Sequence, residues 1–487
     1  MTDAGWGSKT RSGIVWTTAS FLAGRTSTLV ATLVLARLLA PADFGVVAAI
    51  VVFLAFVELV SDLGMKATVV FEQETGVSER VQTAFTLNLV LAVGLTALAV
   101  ALAPAVAAFF GVPDEAGLFR LASVNVLIAG LGNIQDSLLL RELEFRRRIV
   151  PELVRSVLRG GVAIILALLG FGAESLVYGM LAGNAAWTML LWVLTRFRPD
   201  FSLDLRIARS MFSYGSGAAF LAVLSVVTTR IDTVVVGRVL GPGPLGIYTI
   251  AFRVPELAID SVTWNLSKVA FPALARMRAR AGQGLDWATL ELIRYQALYG
   301  LPVGVGLAIL APPLVVVLFG ARWQDAGGVM SALAAASAIH AVVFPIGDAL
   351  KAVGRQRLLA SLQIAEFPIL ITAMVLSAPA GILAVAWVRA GMMVIHAGLM
   401  VAAGRHVIGI KAGRVLAAIA PALAAGAGVG LGAGPVRMLL PELSLLPLLA
   451  GTLAGAAGGL LALRVLAPGT GRDVARQFSR LREARAA

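Results

Sequence analysis

Residues 37–46 read Arg-Leu-Leu-Ala-Pro-Ala-Asp-Phe-Gly-Val, and residues 238–247 read Arg-Val-Leu-Gly-Pro-Gly-Pro-Leu-Gly-Ile. The two stretches share Arg, Leu, Pro and Gly at equivalent places, 201 positions apart. Two further correspondences follow in the same order. They are Phe110-Gly111 before Ala116-Gly117 with Phe319-Gly320 before Ala326-Gly327, and Asp136-Ser-Leu with Asp348-Ala-Leu. Three correspondences in one order indicate an internal repeat, and the fold is predicted from it.

The composition indicates a membrane protein. Of the 487 residues, 59% are hydrophobic and 14% are charged, and the mean hydropathy is +0.89, whereas a soluble domain carries about a quarter charged residues. The chain has no cysteine and only three histidines, which excludes disulfides, thiolate metal sites and cysteine nucleophiles. A net charge of +13 is often typical of nucleic-acid binding, but the long apolar runs of this sequence make a membrane protein the first interpretation.

Hydropathy predicts an all-α polytopic protein with about fourteen transmembrane helices, because about 20 apolar residues cross about 30 Å of hydrocarbon. The first span exceeds the apolar stretch of a signal peptide, about 7–15 residues, and is expected to be retained. The predicted spans lie near 13–36, 44–62, 82–109, 116–138, 149–170, 174–195, 210–236, 245–270, 294–318, 326–347, 358–377, 380–403, 413–433 and 445–466.

The basic residues of the connecting segments predict the orientation. Roughly 27 lysines and arginines fall in the termini and the even-numbered loops, against roughly four on the other side. We therefore expect both termini in the cytoplasm, and contact between the basic loops and anionic lipid headgroups.

The repeat predicts the domain organisation. Six predicted helices separate equivalent motifs, so the two halves should have the same orientation and be related by an axis along the membrane normal. We expect one six-helix lobe in 1–209, a second in 210–411, and two glycine-rich helices with a basic tail in 412–487. Glycines four apart in these helices predict that they pack closely together, with a homodimer seam or a lipid-tail groove as alternatives. These glycines are Gly426, Gly430, Gly434, Gly451, Gly455 and Gly459.

Charged residues inside predicted spans are the candidate functional residues, because each costs about 2.5–3.5 kcal/mol unless it faces a cavity or a partner. The cations are candidates for binding an anionic substrate: Arg25, Arg230, Arg253, Lys268 and Arg389. The acids are candidates for balancing charge or coupling to an ion: Glu58, Asp62, Glu256, Asp260 and Glu366. A structural alternative stays open for each, such as a fixed pair between Arg25 and an acid of the second span.

The eighth predicted span is the most polar. At about 100° per residue, five of its polar residues fall within one arc of about 120°. They are Arg253, Glu256, Asp260, Trp264 and Lys268. Pro255 lies within this stripe and should kink or break the helix.

Sequence motifs of enzymes are missing. The chain contains no GxxxxGK[ST], HExxH or GxSxG sequence, so we expect neither an enzyme nor a resident metal or cofactor.

Three segments carry a family resemblance: Ala36 to Gly45, Arg230 to Tyr248, and Asp348 to Arg355. They resemble the oligosaccharide flippase (polysaccharide transporter) family of the multidrug/oligosaccharidyl-lipid/polysaccharide exporter superfamily. The resemblance implies two six-helix lobes and two added helices. It implies a secondary transporter that moves undecaprenyl-pyrophosphate-linked repeat units across the bacterial inner membrane for O-antigen, capsule or exopolysaccharide synthesis. It also implies a cavity lined by cations, and Arg25 matches in kind the first-helix arginine of several relatives.

The expected partners are the lipid-linked oligosaccharide, membrane lipids and the polysaccharide polymerase or ligase machinery, without nucleic acid. A monomer is expected, and the coupling ion is open between H⁺ and Na⁺. Alternatives are a lipid II flippase or a multidrug extruder of the same superfamily, and a membrane scaffold of a polysaccharide synthase that carries nothing itself.

Overall fold

The computed structural model describes residues 24, 26–62, 77–141, 144–279, 284–440 and 443–468, without the side chains at 59–62, 77–78, 145–146, 210–225 and 279. Within these ranges the chain forms helices joined by turns and short connections, with no strand. Ten helices of this part are long and apolar enough to cross a membrane. Every predicted span overlaps a helix, and the prediction of an all-α polytopic protein is confirmed.

The chain divides into two compact units, Met1–Gly246 and Ile247–Ala487. The predicted boundaries at 209/210 and 411/412 stay a prediction. In the N-terminal unit, α3 packs against α4, α5 against α6, and α2 against α7. The helices of this unit are α1 (Thr26–Leu38), α2 (Pro41–Asp62), α3 (Val77–Phe109), α4 (Ala116–Arg141), α5 (Phe145–Leu168), α6 (Ala173–Thr195) and α7 (Leu205–Leu240).

In the C-terminal unit, α11 is the most buried of the candidate spans that the structure describes, and it contacts α9, α10 and α13. Helix α8 begins in the first unit and ends in the second. The elements here are α8 (Pro242–Pro255), a π-helical segment (Glu256–Asp260), α9 (Ser261–Ala279), α10 (Leu285–Phe319), α11 (Ala326–Ala352), α12 (Gln356–Ser377), α13 (Ile382–Ile408), α14 (Ala412–Leu439) and α15 (Leu445–Leu466).

The repeated Phe-Gly motifs have the same local structure in both units. Helices α3 and α10 end just before Gly111 and Gly320, whose φ angles of 73° and 101° lie in the left-handed region that favours glycine. A single 3₁₀ turn and a new helix follow each glycine. In the first unit, Arg238 Nη1 donates to the Phe109 carbonyl at 2.9 Å, which satisfies one of the free carbonyls at the end of α3.

The repeated Pro-x-x-x-Gly segments meet each other within the N-terminal unit. Pro41 and Pro242 are the first residues of α2 and α8, where proline loses no helical hydrogen bond. A Cβ atom at Gly45 would overlap the Pro242 carbonyl, and one at Gly246 would overlap the Pro41 carbonyl. Glycine at both positions therefore permits backbone contact between the two segments.

The last two helices pack against each other, as the glycine content predicts, but partly through other glycines than the predicted set. Cβ atoms at Gly428 and Gly458 would each overlap the other residue's carbonyl, and one at Gly432 would overlap the Ala454 carbonyl. Of the predicted positions, Gly455 and Gly459 of α15 do face α14, whereas on α14 Gly434 has nothing within 4 Å of a built Cβ and Gly426 faces α10 at ordinary van der Waals distance. The face of α14 that meets α15 is thus rotated from the one expected.

Candidate functional site

The eighth predicted span consists of two α-helices joined by a π-helical turn. Pro255 has no N–H, so the carbonyl four residues before it loses its helical donor. In the turn that follows, the Ser261 N–H donates to the Glu256 carbonyl five residues earlier. A π turn holds one residue more than an α turn, and such turns are frequent at functional sites. The Tyr299 hydroxyl of α10 donates to the Ala258 carbonyl within this turn.

The π turn changes the predicted stripe of five polar residues. Asp260 is buried and Arg253 and Glu256 are partly buried, whereas Trp264 and Lys268 are exposed. Because the π turn holds an extra residue, the residues after it are rotated away from their α-helical positions. The expectation of one continuous arc was therefore wrong, and the disturbance expected at Pro255 takes the form of the π turn.

Arg253 and Glu256 form an ion pair on either side of Pro255. Arg253 Nη1 lies 3.4 Å from Glu256 Oε2, and the two side chains are 41% and 21% exposed. The guanidinium is thus not enclosed by the unit, so its other N–H groups can donate to an anion. About two turns beyond the π segment, Lys268 Nζ donates to Asn265 Oδ1 at 3.2 Å.

Asp260 is held by two side chains of α11. Ser337 Oγ donates to Asp260 Oδ2 at 2.8 Å, and His340 Nδ1 lies 3.1 Å from Asp260 Oδ1. The Asp260 residue is only 6% exposed, so these contacts offset part of the cost of burying a carboxylate. Ser337 and His340 were not predicted as site residues, and their spacing of three on one helix was the available signal.

A second pair of histidine and carboxylate joins α12 and α13. His396 Nδ1 lies 2.9 Å from Glu366 Oε2, and the two side chains are 25% and 16% exposed. Arg389 lies two turns before His396 on α13 and is half-buried. Its in-span position is as predicted, whereas the partner of Glu366 was not foreseen.

In the N-terminal unit, the structure describes two of the four predicted site residues in full, Arg230 and Glu58. On α7, Arg230 is exposed and Asp232 is buried, as expected for residues two apart. Glu58 accepts a hydrogen bond at 2.9 Å from Asn125 of α4. Arg25 and the side chain of Asp62 lie outside the described residues.

Glu58 belongs to a polar chain across three helices. Asn184 of α6 donates to Asn125 Oδ1 at 2.5 Å, and Asn125, which is 4% exposed, donates to Glu58. The sequence signal for these hydrogen bonds was the presence of two asparagines in apolar spans, since a polar group inside a membrane needs a partner. In the part of the chain that the structure describes, no group of three or more His, Cys, Asp or Glu residues could hold a metal ion.

The profile of the family described as "Polysaccharide biosynthesis protein" matches residues 34–327, more than half of the chain. The chain belongs to this family. Among its relatives in the polysaccharide biosynthesis family is the succinoglycan biosynthesis transport protein ExoT of Rhizobium meliloti (strain 1021). ExoT is 30% identical over 327 residues, which make up 66% of this chain and 65% of ExoT. The lipopolysaccharide biosynthesis protein WzxC of Escherichia coli (strain K12) is 24% identical over 71% of this chain and 70% of WzxC.

The teichuronic acid biosynthesis protein TuaB of Bacillus subtilis (strain 168) is 24% identical over 62% of each chain. The chain thus spans slightly less than two thirds of ExoT and of TuaB.

Two solved structures show the fold of this polysaccharide biosynthesis protein. The lipid II flippase MurJ in an inward closed conformation matches with a TM-score of 0.72 at 15% identity, over 93% of this chain and 99% of MurJ. An inward-facing multidrug resistance MATE family transporter matches with a TM-score of 0.66 at 17% identity, over 79% and 94% of the two chains. The resemblance found in the sequence is confirmed, and the fold is that of a two-lobe transporter. ExoT, MurJ and the MATE protein are named for transport or flipping, which agrees with the expectation of a protein that is not an enzyme.

Proposed function

We propose that this protein flips undecaprenyl-pyrophosphate-linked oligosaccharide repeat units across the bacterial inner membrane by alternating access. The product would supply the synthesis of a surface polysaccharide such as O-antigen, capsule or exopolysaccharide. The family match and the fold of MurJ and MATE transporters support this proposal. Both termini would be cytoplasmic, in line with the asymmetry of the basic loops.

The observation that carries the proposal is the position of Arg253. Its side chain stays 41% exposed in a span that Pro255 and the π turn interrupt, and such a cation is costly unless it is hydrated or meets an anion. An arginine can bind a diphosphate through short, charge-assisted hydrogen bonds. Glu256 at 3.4 Å would weaken that binding and favour release.

We assign the remaining predicted residues on the same basis. The cations Lys268, Arg389, Arg230 and Arg25 would contact the headgroup, while Glu58, Asp62, Glu256, Asp260 and Glu366 would balance charge or couple transport to an ion. The polyprenyl tail would remain among the lipid chains, so the protein needs to enclose only the polar headgroup. Rocking of the lobes would then expose the headgroup on the other side.

Flipping of lipid II is the second candidate, favoured by the likeness to MurJ over 93% of the chain. Lipid II also carries a polyprenyl diphosphate and a saccharide, so the same arginine chemistry would serve both. The third candidate is a membrane scaffold of a polysaccharide synthase that transports nothing itself. In that case Arg253 would not be needed for transport.

The test uses the full-length protein in liposomes that contain either a labelled polyprenyl-pyrophosphate oligosaccharide or labelled lipid II. Exposure of the label on the two leaflets is followed with and without a gradient of H⁺ or Na⁺. We expect the oligosaccharide lipid to move, Arg253→Ala to slow its movement at least about tenfold, and Arg253→Lys to keep part of the rate. Arg464→Ala is the matched control, since it removes an exposed cation from the last turn of α15.

Movement of lipid II alone would support the second candidate and contradict the first. If the wild-type protein moved neither lipid under any gradient, or if Arg253→Ala supported normal polymer export in cells, the carrier proposal would be wrong.

A further inference from the structure

A polar seam runs between α11 and the segment formed by the π turn and α9, within the C-terminal unit. At one end lies Asp260 with Ser337 and His340. Eight residues further along α11 lies Asp348, which is 2% exposed and has Ser267 of α9 beside its carboxylate. Eight residues correspond to about 12 Å along a helix. Two buried carboxylates thus lie along one helix contact inside an apolar unit.

Asp348 is incompletely satisfied. Lys351 Nζ lies 3.6 Å from Oδ1, beyond hydrogen-bond distance, and Oδ2 has no hydrogen-bond partner among the described residues. The Ser261 hydroxyl, at the start of α9, is likewise buried without a partner in this part of the chain. Buried unpaired polar atoms are rare in native proteins and indicate a functional role or a bound small species.

The chemistry of the Asp260 contact suits a proton better than a metal cation. Ser337 donates to one carboxylate oxygen and the His340 ring nitrogen faces the other, so the neighbours of Asp260 are groups that can carry a proton rather than further oxygen ligands for a cation. The contact of 3.1 Å between Nδ1 and Oδ1 is a hydrogen bond when one of the two atoms carries a proton, so the pair is built to share one. The His340 side chain is 26% exposed, so this end of the contact is open to solvent.

Other charged or titratable groups among the described residues lie on the elements around this seam. Glu256 is paired with Arg253, and Tyr299 of α10 donates to the π turn itself. Further along α10, Glu291 and Arg294 lie 3.7 Å apart. On α12 and α13 the titratable pair is Glu366 with His396, and at the far end of α9 Arg278 donates to the Ala352 carbonyl at 3.1 Å.

We propose that Asp260, His340 and Asp348 form a proton-binding site, which exchanges protons with solvent through His340 and passes them along the seam. Lys351 and the turn with Arg355 and Arg357 mark the end of the seam that we expect to face the cytoplasm. The π turn carries Asp260 and is held by Tyr299, so a change in charge at Asp260 acts directly on the least regular backbone of this span. Coupling of this site to transport rests on the proposed function, whereas proton binding itself does not.

The binding test needs no substrate. The chain has only three histidines, so ¹⁵N-histidine labelling of the purified full-length protein gives three sets of ring signals, which His396→Gln and His406→Gln assign. We expect the pH dependence of the His340 ring signals to differ between the wild type and Asp260→Asn, because the substitution removes the carboxylate oxygen that His340 Nδ1 contacts at 3.1 Å. Glu366→Gln is the matched control and should change only the His396 signal. A His340 midpoint that is the same with and without the Asp260 carboxylate would overturn the site.

The coupling test uses the same liposomes with a pH-sensitive dye inside. We expect proton movement to accompany flipping by the wild type and by the control Glu291→Gln, whose carboxylate has no role in the proposed machinery. We expect it to be lost in Asp260→Asn, His340→Gln and Asp348→Asn. Ser337→Ala, a milder change, should reduce proton movement while the protein stays folded. Flipping that proceeds in all variants with unchanged proton movement would refute the coupling. If the wild type flips no lipid, the proposed function fails, and the histidine titration still decides whether the site binds protons.

Discussion

Gly45 lies so close to Pro242 that a methyl group on its Cα would overlap the Pro242 carbonyl. Gly246 has the reciprocal relationship with Pro41. Each of the two equivalent segments thus contacts the backbone of the other. The motif from which the repeat was recognised is therefore also the place where its two copies touch within the N-terminal unit.

The first prediction concerns this contact. Gly45→Ala and Gly246→Ala should each destabilise the protein by about 1–3 kcal/mol, because neither backbone can move away without disturbing a helix start. The measurement is the thermal unfolding midpoint in detergent. Gly243→Ala is the control in the same segment, since a built Cβ there meets nothing within 4 Å. Equal midpoints for Gly45→Ala and Gly243→Ala would contradict the packing argument.

The sequence predicted the repeat, the helices and the residues that break them, since all of these depend on local order. It could not predict which glycines of the last two helices meet, because the rotation of a helix depends on every neighbour it packs against. Glycines occur on more than one face of α14, and the three that were expected to pack were Gly426, Gly430 and Gly434. The structure uses Gly428 and Gly432 on α14. On α15 it uses Gly458 together with the expected Gly455 and Gly459.

The second prediction separates these two glycine sets. Gly428→Ala should lower the thermal unfolding midpoint, because its Cβ would overlap the Gly458 backbone, whereas Gly434→Ala should leave it unchanged or raise it. Alanine is favoured over glycine in a helix by about 1 kcal/mol, so the two variants should differ in sign. A larger loss for Gly434→Ala would mean that the originally expected face is the packed one.

The third prediction compares two ion pairs. Arg148 binds Asp136 with two hydrogen bonds of 2.5 and 2.8 Å, and the carboxylate is only 14% exposed. Asp136→Ala should cost about 1.5–3 kcal/mol, as expected for a charge-assisted hydrogen bond. Arg206→Ala should cost about 0–1 kcal/mol, because Arg206 is 94% exposed and 3.4 Å from Asp204. Chemical unfolding in mixed micelles measures both losses, and equal losses would refute the distinction.

The fourth prediction is a pH dependence at the start of α7. Asp204 accepts hydrogen bonds from the backbone N–H groups of Arg206 and Ile207, which lower the pKa of its carboxyl below the ordinary value. A carboxyl with a lowered pKa in the folded state stabilises the fold above its unfolded pKa, and this contribution disappears as the pH falls through the folded pKa. The unfolding midpoint of Asp204→Ala should therefore lie below that of the wild type at pH 7, and the two should converge in strong acid. Asp204→Ser keeps a cap without the charge, so a midpoint for Asp204→Ser that varied with pH as in the wild type would contradict this explanation.

The candidate site shows where sequence reasoning stops. Pro255 and the charges around it were evident from the sequence, because proline chemistry and helical spacing are local. The partners of Asp260 come from α11, 77 and 80 residues away, and a contact at that distance depends on tertiary packing. The π turn was also hidden, since an added residue per turn leaves no periodic signature in a segment of five residues.

The last prediction concerns the π turn. The Tyr299 hydroxyl donates to the Ala258 carbonyl, which lies inside the turn between Glu256 and Asp260. Tyr299→Phe removes only the hydroxyl and leaves this carbonyl without that donor, at a cost of about 1–3 kcal/mol. We expect faster hydrogen–deuterium exchange in peptides that cover the turn, followed by mass spectrometry, while peptides of the N-terminal unit keep their rates. The control is Tyr178→Phe on α6, which removes a hydroxyl from a tyrosine that is 39% exposed, against 38% for Tyr299. Unchanged exchange at the π turn in Tyr299→Phe would show that Pro255 and the α11 contacts hold the turn without the Tyr299 hydroxyl. The role given to Tyr299 would then be wrong.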